Sequence, residues 1–135
     1  MKEKTIQTLF SKVCNIRGVF ELKITKKSSI AYSAVKPHQE EALLKANNKG
    51  FFHKITDQPI FKKMKTRFNR PKPFDCFYVT QYPAYVAICY YKPRQPKELI
   101  LINISDFITA RETDTRKSLT EEKAKSIASQ IISLK

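Results

Sequence analysis

Apolar and polar residues alternate through FELKIT, residues 20–25. Successive strand side chains point to opposite faces, so Phe20, Leu22 and Ile24 share one side and Glu21, Lys23 and Thr25 the other. The strand extends over GVFELKITK (18–26). Before it, Ile6, Leu9, Phe10 and Val13 recur at helical spacing in residues 3–13, and Asn15 and Gly18 end that helix. Residues 27–35 are small and polar, a loop or short strand. A second helix is expected over 36–50. Pro37 suits its first turn, Glu40 and Glu41 complement the start of its dipole, and Lys45 and Lys49 its end, with Asn47, Asn48 and Gly50 as the stop.

FFHKITD (51–57) reads as a strand. Pro59, Pro71 and Pro73 make 58–74 a long exposed loop. Residues 75–92 are aromatic and β-branched and read as two strands joined at a tight turn near 81–83. Residues 93–96 form a turn. ELILINI (98–104) is nearly all apolar, as a central strand covered on both faces requires. Over 118–134 a closing helix is expected, with Ser118 and Glu121 as a capping box and Ala124, Ile127, Ala128 and Ile131 as its buried stripe. The order of elements predicts a single mixed α/β or α+β domain, a central sheet flanked by helices.

Charge sharpens this picture. The 135 residues include 26 Lys and Arg against 12 Asp and Glu, a net charge of +14. Folding does not need such an excess and self-repulsion opposes it, so a polyanionic partner is implied, nucleic acid first. The longest apolar run, 84–91, is far short of the roughly 20 residues of a membrane-spanning helix. The amino-terminal stretch is charged throughout and lacks the apolar segment of a secretory signal. Three cysteines without a CxxC pair predict neither a disulfide framework nor a zinc knuckle. Cys76 and Cys89 read as buried reduced thiols, and the expected compartment is cytoplasmic. With Gly18 and Gly50 the only glycines, no phosphate-cradling glycine loop exists.

Candidate chemistry returns to Glu21 and Lys23. A carboxylate beside an ammonium on one strand face is either a surface ion pair or a place to hold a divalent cation and steer a water. Glu121 and Lys123 repeat the spacing, but there a capped surface helix accounts for it. Asp75, at the mouth of an apolar strand among Phe74, Cys76 and Phe77, is either a strand-start acid or a partly buried carboxylate in need of a partner. Asp57, ahead of Gln58 and Pro59, is more simply a turn acid. His53 reads as a structural histidine, and His38 as either a surface histidine or a phosphate contact.

The segment FELKITKKSSIAYSAVKPHQEEALLKA resembles the PD-(D/E)xK nucleases, in particular the phage and Gram-positive Holliday-junction resolvases among them. There an acidic-x-Lys strand is followed by a polar loop and by a helix opening with His-Gln. Glu21 and Lys23 match the E-x-K, Gln39 the helix glutamine and His38 its neighbour. The similarity covers residues 5–50. It implies a restriction-endonuclease-like core and a Mg²⁺-dependent DNA endonuclease, with Mn²⁺ able to substitute. Glu21, Asp75 and the backbone at Leu22 would hold the metal, Lys23 would position the water, and Gln39 would hold the lysine, the water or the phosphate. A homodimer is implied as well. The chain departs from the family pattern in one respect: no acid lies between Glu3 and Glu21, so the usual acid on a preceding strand is missing. Glu3 would stand in for the first-helix carboxylate.

Residues 62–72, KKMKTRFNRPK, carry Lys62, Lys63, Lys65, Arg67, Arg70 and Lys72 with no acid among them, and Phe61 and Phe68 are interleaved. Phosphate neutralisation with base stacking or wedging is the expected role, against that of a merely solvated charge run. Lys26 and Lys27 add positive charge beside the candidate site. Three functions stay open on these residues: an endonuclease of duplex or branched DNA, a non-catalytic nucleic-acid-binding module of nuclease-like fold, and a basic protein that docks on RNA–protein assemblies.

Overall fold

A computed structural model describes residues 3–13, 15–54, 76–79 and 81–134. The expected basic loop, with Lys62 through Lys72, lies outside them, as do Asp57, Asp75 and Cys14. The first helix, α1 (Glu3–Val13), leads into β1 (Val19–Thr25), then β2 (Ser29–Ala31) and a single 3-10 turn at Tyr32–Ala34. Helix α2 (Pro37–Asn48) follows, then β3 (Phe51–Lys54), β4 (Cys76–Val79), β5 (Ala84–Tyr90) and β6 (Lys97–Asn103). The chain continues through α3 (Ile104–Thr113), β7 (Ser118–Thr120), α4 (Glu121–Ile127) and β8 (Gln130–Leu134). Among the described residues no helix is long and apolar enough to cross a membrane.

The fold is mixed α/β. Its main sheet has the order β1-β5-β6-β8, with β1 parallel to β5 and the other pairs antiparallel. Parallel neighbours need a crossover, and α2 lies on the connection between β1 and β5. Two layers cover the sheet. Val86, Ile88, Ile100 and Ile102 face Leu43 and Ala46 of α2, Phe107 of α3, and Ala124 of α4. Ala87, Cys89, Leu99 and Leu101 face the other way, toward Ile6 of α1. Strand β6 is thus covered on both faces, as its unbroken apolar run predicts. Cys89 is buried there, and burial pushes its thiol pKa up.

Helix α2 ends as expected. Gly50 adopts φ 83° and its N–H donates to the Lys45 carbonyl at 2.8 Å, a left-handed close that glycine adopts without strain. Asn47, in the last turn, then ties the helix to the sheet. Its Oδ1 accepts from the Ala84 N–H and from Asn103 Nδ2, both at 3.2 Å. Gly18, just before β1, sits against the next strand: a Cβ there would lie 2.7 Å from the Pro83 carbonyl oxygen.

Four expectations are corrected. First, β4 and β5 do not form a hairpin. Strand β4 pairs with β3, while β5 enters the main sheet, and residues 81–83 are the passage between the two sheets. The Tyr82 N–H bonded to the Ala46 carbonyl at 3.1 Å anchors that passage on α2. Second, Cys76 is exposed on β4 rather than buried. Third, α3 was not anticipated. Asn103 ends β6 and caps the helix, its Oδ1 accepting from the Ser105 N–H at 3.0 Å, and Ile104, Phe107 and Ala110 are its buried face. Fourth, residues 118–134 are not one helix. Leu119 is buried in β7 opposite Ile30 of β2, and the N-cap is Thr120, accepting from the Lys123 N–H at 3.3 Å, not Ser118. Helix α4 stops at Ile127 because residues 130–134 complete the ladder of β6. That turns Ile131 outward, at 42 % exposure, and Ile132 and Leu134 inward.

Candidate active site

Strand β1 divides its side chains as its alternation requires. Phe20, Leu22 and Ile24 pack with α1, where the rings of Phe10 and Phe20 meet edge to face at 5.0 Å. Glu21 and Lys23 take the opposite face, toward the first turn of α2. The two are half-buried, their side chains 25 % and 19 % exposed, and Lys23 Nζ lies 3.0 Å from Glu21 Oε1.

Gln39 joins them. Its Nε2 donates to Glu21 Oε1 at 2.7 Å, and its Oε1 accepts from Lys23 Nζ at 3.2 Å. The same Oε1 accepts from the Lys36 backbone N–H at 2.9 Å. That last bond explains why glutamine serves here. Gln39 is the third residue of a helix opened by Pro37, and its side chain reaches back to an amide that has no partner within the helix. Because the backbone N–H and the ammonium both require an acceptor, the amide oxygen must face them. The amide nitrogen is left facing the carboxylate. The helix start therefore sets the orientation of a group that contacts both members of the strand pair.

Stability does not account for this arrangement. An ion pair with a fifth to a quarter of its surface exposed contributes about 1 kcal/mol or less, and partial burial costs both charges hydration. An apolar pair beneath α2 would hold the strand at least as well. What the triangle provides is a fixed carboxylate, a fixed cation and a fixed amide within hydrogen-bond reach of one another.

The other expected site residues are more dispersed. His38 is exposed and lies with Val19, Glu41, Ala42 and Lys45 along a groove of about 320 Å³ between α2 and β1. Lys26 and Lys27 are exposed just past the end of β1. Glu3 opens α1, which packs on the sheet face opposite to Glu21. His53 stands opposite Phe77 in the β3–β4 ladder. Among the described residues no three His, Cys, Asp or Glu side chains come together to hold a metal.

Glu121 and Lys123 part company. Glu121 pairs with Lys92 at 2.7 Å and Lys125 at 3.5 Å, and Lys125 also pairs with Glu98 at 2.6 Å. Lys123 lies 3.2 Å from Asp114. Lys92, Glu98, Glu121 and Lys125 line a cavity of about 290 Å³ beside Tyr90 and Ile100, and each has its counter-charge within the chain. Asp114 also accepts from the Tyr32 hydroxyl at 2.8 Å. The Arg116 backbone N–H, the Tyr32 hydroxyl and Lys123 hold the Asp114 carboxyl down at about 2. Burial, with Asp114 beside it, pushes the Tyr32 phenol up to about 12. The Tyr32–Asp114 tie was not anticipated, since it joins residues whose proximity only the fold creates.

No protein-family model, no curated protein and no solved structure matches this chain.

Proposed function

We propose that the protein is a metal-dependent endonuclease of the PD-(D/E)xK type, acting on duplex or branched DNA. One observation carries the reading. An E-x-K pair on a strand and a glutamine in the first turn of the following helix, 18 residues beyond the Glu, meet in one hydrogen-bonded triangle. The parallel placement of β1 and β5 around α2 fits the α/β core that such nucleases use. The positive excess supplies attraction for a polyanion.

The described residues alone do not complete a metal site: Glu21 brings a carboxylate and Leu22 a backbone carbonyl, and Asp75 is the proposed second acid. A bound Mg²⁺ would polarise the scissile phosphate and acidify a water. The chain's own groups do the rest. Lys23 lies where an ammonium can orient a water against phosphorus and offset charge building on the phosphate oxygens. Gln39 keeps Lys23 and Glu21 at a fixed separation, so that neither is lost to solvent between turnovers. Lys26, Lys27 and the 62–72 run would hold the nucleic-acid backbone, with His38 as a further phosphate contact.

The decisive experiment is cleavage of linear, nicked and four-way branched DNA with Mg²⁺ or Mn²⁺, comparing wild type with Lys23→Ala. The variant is expected to lose metal-dependent cleavage by at least about a hundredfold while still binding DNA. Cleavage at the wild-type rate would end the assignment. A second reading, a nucleic-acid-binding module of nuclease-like fold without catalysis, draws support from the single carboxylate in the triangle. No cleavage of any substrate with either metal, alongside retained DNA binding, would favour it.

A further inference from the structure

Among the described residues five large apolar side chains are exposed, and three of them are aromatic: Phe52, Tyr78 and Tyr82, at 72 %, 49 % and 37 %. All three gather at the carboxy-terminal end of α2. The last carbonyls of a helix have no partner within it, and here the returning chain supplies donors. The Tyr78 hydroxyl donates to the Lys49 carbonyl, Gln81 Nε2 to that of Asn47 at 2.8 Å, and the Tyr82 N–H to that of Ala46 at 3.1 Å. Phe52 stands opposite Tyr78 in the β3–β4 ladder, their ring centres 5.0 Å apart and their planes at 60°.

Folding does not require this patch. A ring at 72 % exposure gains little burial, and clustered apolar groups left in water mark a contact surface. Its surroundings say what it contacts. Lys45 and Lys49 are exposed on the same end of α2, and neither pairs with a carboxylate among the described residues. No Asp or Glu occurs in residues 42–56 or 76–97, the two stretches that contribute the three rings. An apolar protein partner has no use for such cations. A duplex offers phosphates but keeps the faces of its bases stacked on one another. Flat rings beside unpaired cations match a single strand, which presents free base faces and phosphates together. We infer that Phe52 and Tyr78 form a stacking platform for unpaired bases of a nucleic-acid strand, with Lys45 and Lys49 taking its phosphates.

The groove lined by Val19, His38, Ala42 and Lys45 runs along α2, the helix that Gln39 of the triangle opens. From Gln39 to Lys49 the helix axis rises about 15 Å, so the platform holds a strand a few nucleotides from the triangle. That consequence rests on the nuclease reading. It makes the substrate DNA with an unpaired strand, such as a flap, an overhang or an open branch, rather than continuous duplex.

Fluorescence anisotropy without divalent metal tests the platform apart from cleavage. Three labelled probes separate bases from phosphates: a thymidine oligonucleotide, an abasic strand of the same length, and a blunt duplex. Wild type is expected to favour the thymidine strand over the abasic one. Phe52→Ala should weaken thymidine-strand binding about five- to a hundredfold, the range for loss of one stacked base. Its affinity for the other two probes should stay as in wild type, and so should its salt dependence, since no phosphate contact is lost. Phe52→Trp restores a ring and should restore the preference. Phe52→Leu, apolar but not flat, should not. Tyr78→Phe keeps the ring and should bind as wild type does. Equal affinity of wild type for thymidine and abasic strands overturns the proposal, as does a Phe52→Ala loss shared by all three probes. Either result, with duplex still bound, leaves the nuclease reading standing. A protein that prefers the thymidine strand yet cuts no DNA keeps the platform and removes that reading. Failure to bind any probe overturns both.

Discussion

Gln39 and Asp114 are both polar side chains held by several partners, and the difference between them separates candidate chemistry from fold maintenance. Gln39 spends one acceptor on a helix-start amide and turns its remaining capacity onto two charged groups at the surface of the sheet. Asp114 spends its oxygens on the Arg116 amide, the Tyr32 hydroxyl and Lys123, joining the end of α3 to the turn before α2 and to α4. Its consequence is a dependence on acid. A carboxyl lowered from 3.8 to about 2 by folding is bound to a proton more tightly in the unfolded chain. Its stabilising effect is complete above the unfolded value and fades as the pH falls through the folded one. Asp114→Asn is therefore expected to flatten the loss of thermal stability between pH 3.8 and about 2, while lowering stability at neutral pH. Melting curves across that range check it, and an unchanged slope would mean that other carboxyls govern acid unfolding. The triangle of Glu21, Lys23 and Gln39 was legible in the sequence because its parts lie in adjacent elements with local signatures. The Asp114 network was not, because Tyr32 and Asp114 are brought together only by the closed fold.

The same rule governs elements. Helices α1 and α2 and strands β1 and β6 carry their periodicity and caps within themselves, and the sequence predicts them. Helix α3 was overlooked because its first residue, Ile104, prolongs the apolar run of β6, hiding the Asn103 cap that divides them. Residues 118–134 misled for the opposite reason. Ala124, Ile127, Ala128 and Ile131 do repeat at helical spacing, but the edge of β6 offers residues 130–134 a ladder, and the ladder wins. Two substitutions separate the alternatives. On the strand, Ile131 points outward and Ile132 packs with Leu99 and Leu101. Ile131→Lys should change stability by no more than about 0.5 kcal/mol. Ile132→Lys should cost about 2 kcal/mol, by removing apolar burial and leaving an ammonium at the sheet surface. Urea denaturation of the two variants measures both, and a larger loss for Ile131→Lys would restore the continuous helix.

At the scale of the whole molecule the question is where the positive excess acts. Several cations of the described fold are neutralised internally: Lys23, Lys92, Arg111, Lys123 and Lys125 each have a carboxylate partner. The uncompensated charge is concentrated in sequence at 62–72, where six cations stand without an acid: Lys62, Lys63, Lys65, Arg67, Arg70 and Lys72. Binding through such a run releases counterions from DNA, so affinity should fall linearly on a logarithmic salt scale, by about 0.9 in slope for each phosphate neutralised. Replacing Lys62, Lys63 and Lys65 with Gln should flatten that slope by up to about 3 if all three touch phosphate. Lys23→Ala should flatten it by about 1 at most, since Lys23 already faces Glu21. Fluorescence anisotropy from low to moderate salt separates the two outcomes. A slope unmoved by the triple change would shift the grip to the described cations, Lys26 and Lys27 beside the triangle first. A slope that Lys23→Ala alone flattens as much as the triple change would mean that the triangle opens to meet the backbone.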